Sequence, residues 1–250
     1  MRYLLLLIFF SLTLDARTFF LSTPRSGTHL FLTTYTHFFN RGFISGPQSK
    51  TRQKIKDWNS LEVDQDLLIA SHLPSEFAPY KISQQDQLIY ILRDYKENII
   101  GEGKYPTNNK EFIEKFTTDH LQKRIYFINL DFHHHFKGKK LLIHYEDLVL
   151  KPKNVIAKLS SFLNCPASTT QENFSSYQKK LSLSRSSYRT EYRSRAKTTS
   201  NSTTSHQLKF SPTACMYADT YVQTHYPDLF SCYLMRYQTP PSIKARQPRK

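Results

Sequence analysis

The chain has 250 residues, with 35 Lys and Arg against 20 Asp and Glu, a formal charge of +15 and a pI near 9.7. That length suits one α/β domain with a substantial core. The charge favours an anionic partner (nucleic acid, a membrane surface, or a sulfated or phosphorylated molecule) without choosing among them. Only 3 Cys are present, Cys165, Cys215 and Cys232; they lack metal-ligand spacing and neither demand nor exclude an oxidising compartment. With 6 Gly but 16 Tyr and 18 Phe, aromatic packing should carry much of the core.

Arg2 precedes an apolar run from Tyr3 to Leu14, and Ala16 stands where it could precede a cleavage site. The run has signal-peptide length and falls short of the roughly 20 apolar residues of a membrane span. A signal or anchor in residues 1–16 and an apolar segment packed against the domain both stay open. With them stay open membrane contact and a cytoplasmic, exported or membrane-associated location. The domain proper is read as residues 17–238.

A first strand is predicted at Thr18–Ser22, followed by Ser22-Thr-Pro-Arg-Ser-Gly-Thr-His-Leu30 and a helix at Thr28–Asn40. A strand feeding a small-residue turn into a helix offers outward backbone N–H groups and a positive dipole end, which together suit a phosphate. Arg25 adds a fixed positive fork and Gly27 permits close backbone approach. The Walker spacing is not met. Further strands are predicted at Leu67–Ser71, Leu88–Leu92 and Lys140–His144, each nearly continuously apolar, as parallel strands covered on both faces should be. Helices are predicted at Tyr95–Gly101, at Lys110–His135 with an interruption allowed, and at Pro152–Leu163, where Val155, Ile156, Leu159, Phe162 and Leu163 recur at helical spacing.

From Tyr177 to Lys209 the chain carries eight Lys or Arg against one acid and reads as a long basic loop. A last helix is predicted from Pro212 to Thr224, with Tyr217 and Tyr221 on one face. Residues 239–250 read as a basic, Pro-rich, disordered tail. His133, His134 and His135 point in different directions on a helix, so one ion does not readily use all of them. Asn173-Phe-Ser and Asn201-Ser-Thr match the glycosylation pattern, which has meaning only in a secretory eukaryotic setting.

Alternating strands and helices predict a single α/β domain with a mostly parallel central sheet and helices on both faces. Ligands on such sheets bind at the carboxyl ends of the strands. Arg25, His72, Arg93 and Tyr145 all stand just past predicted strand ends, which argues for one site.

The turn at Ser22–Leu30 resembles the P-loop-like 5′-phosphosulfate turn of sulfotransferases that use 3′-phosphoadenosine 5′-phosphosulfate (PAPS). Three more stretches are similar to that family in the required order: Leu-Leu-Ile-Ala-Ser-His-Leu-Pro at 67–74, Leu-Ile-Tyr-Ile-Leu-Arg-Asp-Tyr-Lys-Glu-Asn-Ile-Ile-Gly at 88–101, and Leu-Leu-Ile-His-Tyr-Glu-Asp-Leu within 140–163. The resemblance implies PAPS as sulfuryl donor, no metal, and His72 as the base that takes the acceptor's proton, a task imidazole suits near neutral pH. It implies that Arg25 holds the 5′-phosphate and steadies the leaving oxygen, that Ser26, Gly27, Thr28 and His29 add donors, that Arg93 clasps the 3′-phosphate and that Tyr145 contacts adenine. Glu146 and Asp147 are expected to serve the turn and the next helix's start.

The sequence departs from the family pattern at three places. The lysine two residues before the histidine is Ala70, the serine eight positions after Arg93 is Gly101, and the late Arg-Lys-Gly lid has only Arg193, Arg195 and Lys197 in its region. A binder that has lost catalysis, and a polyanion binder using the basic loop, therefore stand beside the enzyme reading. The acceptor is a small molecule, glycan or peptide, with no specific nucleic acid expected. The segments Phe43–Asp66 and Tyr105–His120, which would line the acceptor site, carry no recognisable motif.

Overall fold

The structure is a computed structural model that describes residues 16–45, 67–100, 106–179 and 210–239. Five strands, β1 (Thr18–Ser22), β2 (Phe43–Ser45), β3 (Leu68–Ser71), β4 (Gln87–Leu92) and β5 (Lys139–His144), form one sheet in the order β2-β3-β1-β4-β5, all parallel. Helix α1 (Thr28–Phe39) follows β1, and a 3-10 turn (Pro74–Tyr80) follows β3. After β4 come α2 (Tyr95–Ile100), α3 (Asn109–Thr117) and α4 (Leu121–His135); after β5 come α5 (Tyr145–Leu150) and α6 (Pro152–Leu163). Residues 171–179 form α7, and α8 (Pro212–His225) runs into a short helical coil that ends at Met235–Tyr237.

Side chains alternate across the sheet, so each strand feeds two cores. Phe19, Leu21, Ile69, Leu88, Tyr90 and Leu92 face α2, α3, α4 and α8, where Tyr95, Phe112, Phe116, Tyr126, Ala218 and Val222 meet them. Phe20, Leu68, Ala70, Ile89, Ile91 and Ile143 face α1, α5, α6 and α7. Phe20 stacks on Phe31 of α1 at 4.1 Å between ring centroids, so the helix leaving β1 folds straight back onto it. Aromatic packing does carry both cores, and covering both faces is what the apolar strand sequences require.

The predicted strands and helices are present, several with ends that differ by a residue, the interruption allowed in the 110–135 helix occurs, and β2, α5 and α7 are additional. β2 was not predicted: at three residues it is too short to show a period, and its pairing with β3 comes from tertiary context. The 110–135 helix is split, because His120 turns extended and its side chain caps α4 by accepting from the Lys123 amide. α1 stops one residue early, where Asn40 takes a left-handed cap conformation with φ 51°.

The basic loop does not begin at Tyr177. That residue lies in α7, is 2 % exposed, packs on Phe38 and exchanges a 2.7 Å hydrogen bond with the Thr34 hydroxyl of α1. Its apolar ring was masked in the sequence by polar neighbours. Residues 180–209, with Arg193, Arg195 and Lys197, lie outside the described residues, as do the apolar segment at 1–15, Gly101 and the tail beyond residue 239. No helix among the described residues is long and apolar enough to cross a membrane. Tyr177→Ala should cost roughly 3–5 kcal/mol of stability, read as a lower urea midpoint with the slope unchanged; a shift within error would mean that α7 does not dock on α1.

Candidate active site

The sheet order reverses beside β1: the chain leaves β1 toward β2 and β3 on one side, and later passes through β4 to β5 on the other. The crevice outside the carboxyl ends at such a switch point is where ligands of parallel sheets bind. Register brings the candidates there. Leu21 pairs with Ser71 and Leu92 with His144, so His72 comes level with Ser22 and Arg93 with Tyr145.

The turn after β1 is built by its own backbone. The Ser26 amide and hydroxyl both donate to the Thr23 carbonyl, at 3.0 and 2.7 Å, and Ser26 is fully buried. Arg25 takes φ 69° and Gly27 φ 101°. The arginine is exposed and its conformation costs a non-glycine residue about 1–2 kcal/mol, a strain found where a turn must hold a ligand. At Gly27 the constraint is spatial too: a Cβ there would lie 2.4 Å from the Tyr145 ring. The first full helical bond of α1 runs from the Phe31 amide to the Gly27 carbonyl at 3.0 Å, so the amides ahead of it project from the helix end. An outward amide set beside an arginine can cradle an anion.

His72 is exposed on the other side of this turn. Its Nδ1 lies 2.7 Å from the Ser22 carbonyl oxygen and 3.1 Å from the Ser22 hydroxyl, which in turn sits 2.9 Å from the Thr28 hydroxyl. A carbonyl only accepts, so Nδ1 carries the hydrogen, and in the neutral ring Nε2 keeps the lone pair. Ala70 is 4 % exposed and packs into the core on the α1 side. Its methyl is part of that core and supplies no charge to the crevice.

Arg93 is more engaged than its place in the sequence implied. Its Nη1 donates to the Arg25 carbonyl at 3.0 Å, its Nε and Nη2 to Glu97 at 3.1 and 2.5 Å, and its guanidinium lies 4.8 Å from the Tyr145 ring centroid. Arg93, Tyr145 and the Arg25–Gly27 turn therefore form one packed unit. Glu146 accepts from the Asp94 amide at 3.3 Å and from the Tyr237 hydroxyl at 2.8 Å, whereas Asp147 takes a bidentate 2.8 Å pair with Arg236. Both acids stand in the first turn of α5 and also hold the C-terminal coil.

Sequence reasoning missed Glu97 and a set of amide and phenol donors. Asn98 and Gln122 both donate to the Pro24 carbonyl, at 3.0 and 2.8 Å; Tyr126 donates to the Arg93 carbonyl at 2.8 Å and Asn129 to the His72 carbonyl at 2.9 Å. The only sequence signal for them was polar residues recurring along a helix otherwise read for its apolar stripe. The three adjacent histidines separate as expected of a helix. His133 is buried against Tyr90 and bonds Tyr233, and burial pushes it down to about 4, whereas His135 bonds the Asp131 carbonyl at the surface.

A sulfotransferase-domain family model matches residues 15–213, well over half the chain. The chain belongs to the sulfotransferase family. Its structure is similar to that of mouse sulfotransferase SULT7A1 complexed with PAP, at 17 % identity and a TM-score of 0.56 over 89 % of each chain. It also matches the sulfotransferase domain from the curacin biosynthetic pathway, at 18 % identity and a TM-score of 0.39 over 63 % of this chain and 76 % of that one. A search of curated proteins found no match. The fold of this sulfotransferase is thus the expected α/β domain with an all-parallel sheet.

One acid in the site makes a pH-dependent contribution. Burial pushes the Asp94 carboxyl from about 3.8 up to about 6, against the opposing pull of Lys96 and its amide. An acid raised on folding costs nothing when protonated in both states, and its cost grows as pH rises from about 3.8 through about 6. Asp94→Asn should therefore match the parent at pH 3.5 and exceed it in stability at pH 7, with the gap opening between those limits in urea titrations. A constant gap would show that the carboxylate is not held in a desolvated place.

Proposed function

We propose that the protein transfers a sulfuryl group from PAPS to a hydroxyl or amine, with His72 as general base. The observation that carries this reading is the Nδ1–H bond from His72 to the Ser22 carbonyl, which leaves Nε2 as acceptor beside the anion cradle of Arg25–His29. In the step itself the acceptor's O–H or N–H proton passes to Nε2 and a new bond forms to sulfur. The bond from sulfur to the 5′-phosphate oxygen breaks, releasing adenosine 3′,5′-bisphosphate (PAP). Charge develops on that leaving oxygen, where donors fixed in advance count most. Arg25, the amides of Gly27, Thr28 and His29 and the Thr28 hydroxyl supply them, whereas Ser26, buried with its amide and hydroxyl both donating to the Thr23 carbonyl, shapes the turn instead.

Arg93 is assigned to the 3′-phosphate and Tyr145 to the adenine. For Arg93 to take the phosphate, Glu97 must release its Nε and Nη2 edge. Glu97 thereby weakens nucleotide binding twice, by occupying the guanidinium and by repelling the phosphate. With Ala70 uncharged, stabilisation of the moving sulfuryl group rests on Arg25 and the cradle. The same two features favour a second reading, a PAP-binding relative without transfer. The acceptor is a small molecule, glycan or peptide, and the basic surface favours an anionic one.

PAP should bind the intact protein in the micromolar range, roughly −8 kcal/mol, by titration calorimetry. His72→Ala should keep that affinity within about threefold yet lower PAP release from PAPS, with any acceptor found active, by about 10²–10⁴. Retained turnover would remove His72 as base, and absence of turnover in the parent with a broad acceptor panel would favour the second reading. Glu97→Gln should tighten PAP by roughly two- to fivefold, the worth of one partly screened charge interaction; weaker binding would mean that Glu97 orients Arg93 rather than competing for it.

A further inference from the structure

The buried face of α4 carries polar side chains in a row. Gln122, Tyr126 and Asn129 stand at spacings of four and three residues, on one side of the helix, and are 2 %, 0 % and 0 % exposed. Each donates to a main-chain carbonyl in a different connection of the crevice. Gln122 Nε2 reaches the Pro24 carbonyl at 2.8 Å, the Tyr126 hydroxyl the Arg93 carbonyl at 2.8 Å, and Asn129 Nδ2 the His72 carbonyl at 2.9 Å, with a longer 3.4 Å contact to the Thr23 hydroxyl. Pro24 is the residue before Arg25. A single helix therefore grips the backbone at, or one residue from, every charged or basic side chain assigned to the transfer.

A strand end leaves main-chain carbonyls beyond the last ladder bond, and burial requires a donor for each. Any donor would meet that need, including one from the same connection. Here one rigid element, about 10 Å long between its first and last grip, supplies a donor to all three connections, and Asn98 of α2 adds a second donor only at Pro24. Three connections that could shift independently are thus held to a common frame. Gln122 is further fixed by Asn98, whose Oδ1 accepts from its Nε2 at 3.0 Å.

We infer that α4 is the positioning element of the transfer site, with Asn129 setting the His72 ring against Ser22 and Tyr126 setting Arg93 over the cradle. This rests on the proposed roles of those two residues. Neither Asn129 nor Tyr126 touches the reacting groups; they act through the carbonyls they hold. Because the grips are on different connections, losing one should disturb one function and spare the other. A donor that served only to satisfy a buried carbonyl would produce no such division.

The experiment uses the full chain labelled with ¹⁵N-histidine, PAP as probe, and the two variants Tyr126→Phe and Asn129→Leu. In the parent, the His72 ring nitrogens should report the Nδ1–H tautomer. Tyr126→Phe should weaken PAP roughly fivefold, the worth of one hydrogen bond, and leave the His72 tautomer as in the parent. Asn129→Leu should shift His72 toward a mixture with the Nε2–H form and change PAP affinity less than twofold. Asn129→Ala is run in parallel in case leucine is not accommodated, with the same expectation. Both readouts moving together in either variant, or neither moving in any, would overturn the inference. A parent that binds no PAP would instead refute the donor assignment, and the tautomer readout would still decide whether Asn129 holds His72.

Discussion

The 2.7 Å bond from His72 Nδ1 to the Ser22 carbonyl is the constraint on which the site depends. It joins the ends of two neighbouring strands, and it selects one tautomer of the imidazole by giving Nδ1 a partner that can only accept. A parallel sheet makes this bond available. With β1 and β3 side by side and in register, the residue after β3 stands level with the last residue of β1. The helix that leaves β1 then places its N-terminal end, and Arg25 ahead of it, beside the same ring.

The rest of the fold holds those strand ends in place from two directions. From one face, α4 supplies the buried donors that meet the connections after β1, β3 and β4. From the other end, the C-terminal coil returns over β4 and β5. Asp219 of α8 pairs with the buried Lys96 at 2.7 Å and accepts from the Thr239 amide and the Tyr95 hydroxyl. Tyr237 then lies between His144 and Glu146, whose carboxylate also holds the Asp94 amide next to Arg93. A buried ion pair adds little net stability over an apolar pair, but an unpaired partner is costly, so such pairs fix geometry more than they add stability. Not all buried polar groups serve the site: Asp86, paired with Arg17 at 2.8 Å, ties the opposite ends of β1 and β4 together.

The strands were legible because parallel strands covered on both faces must be apolar throughout, and runs such as Leu88–Leu92 have no other reading when followed by a charged turn. The cradle was legible for a similar reason: Pro24-Arg-Ser-Gly has few conformations that serve both a strand exit and a helix start. Three things were not legible. The short β2 depends on its neighbour, and Tyr177 looks like part of a polar loop until α1 is placed against it. The engagement of Arg93 by Glu97 is an i,i+4 pair of ordinary kind, and sequence alone does not say whether the arginine turns toward the helix or toward a ligand. The donors Gln122, Tyr126 and Asn129 were hidden because a helix is read first for its apolar stripe, and their partners are main-chain atoms, which leave no mark in sequence.

The central claim is that the strand-end crevice holds a two-phosphate nucleotide with its 5′ end at His72. A crystal structure of the full chain with PAP tests it most directly. The 5′-phosphate should lie on the Arg25–His29 turn, with His72 Nε2 facing it, Nδ1 still on the Ser22 carbonyl, and Arg93 turned from Glu97 to the 3′-phosphate. A nucleotide seated away from the strand ends, or one whose 5′-phosphate lies on the far side of Tyr145 from His72, would contradict it.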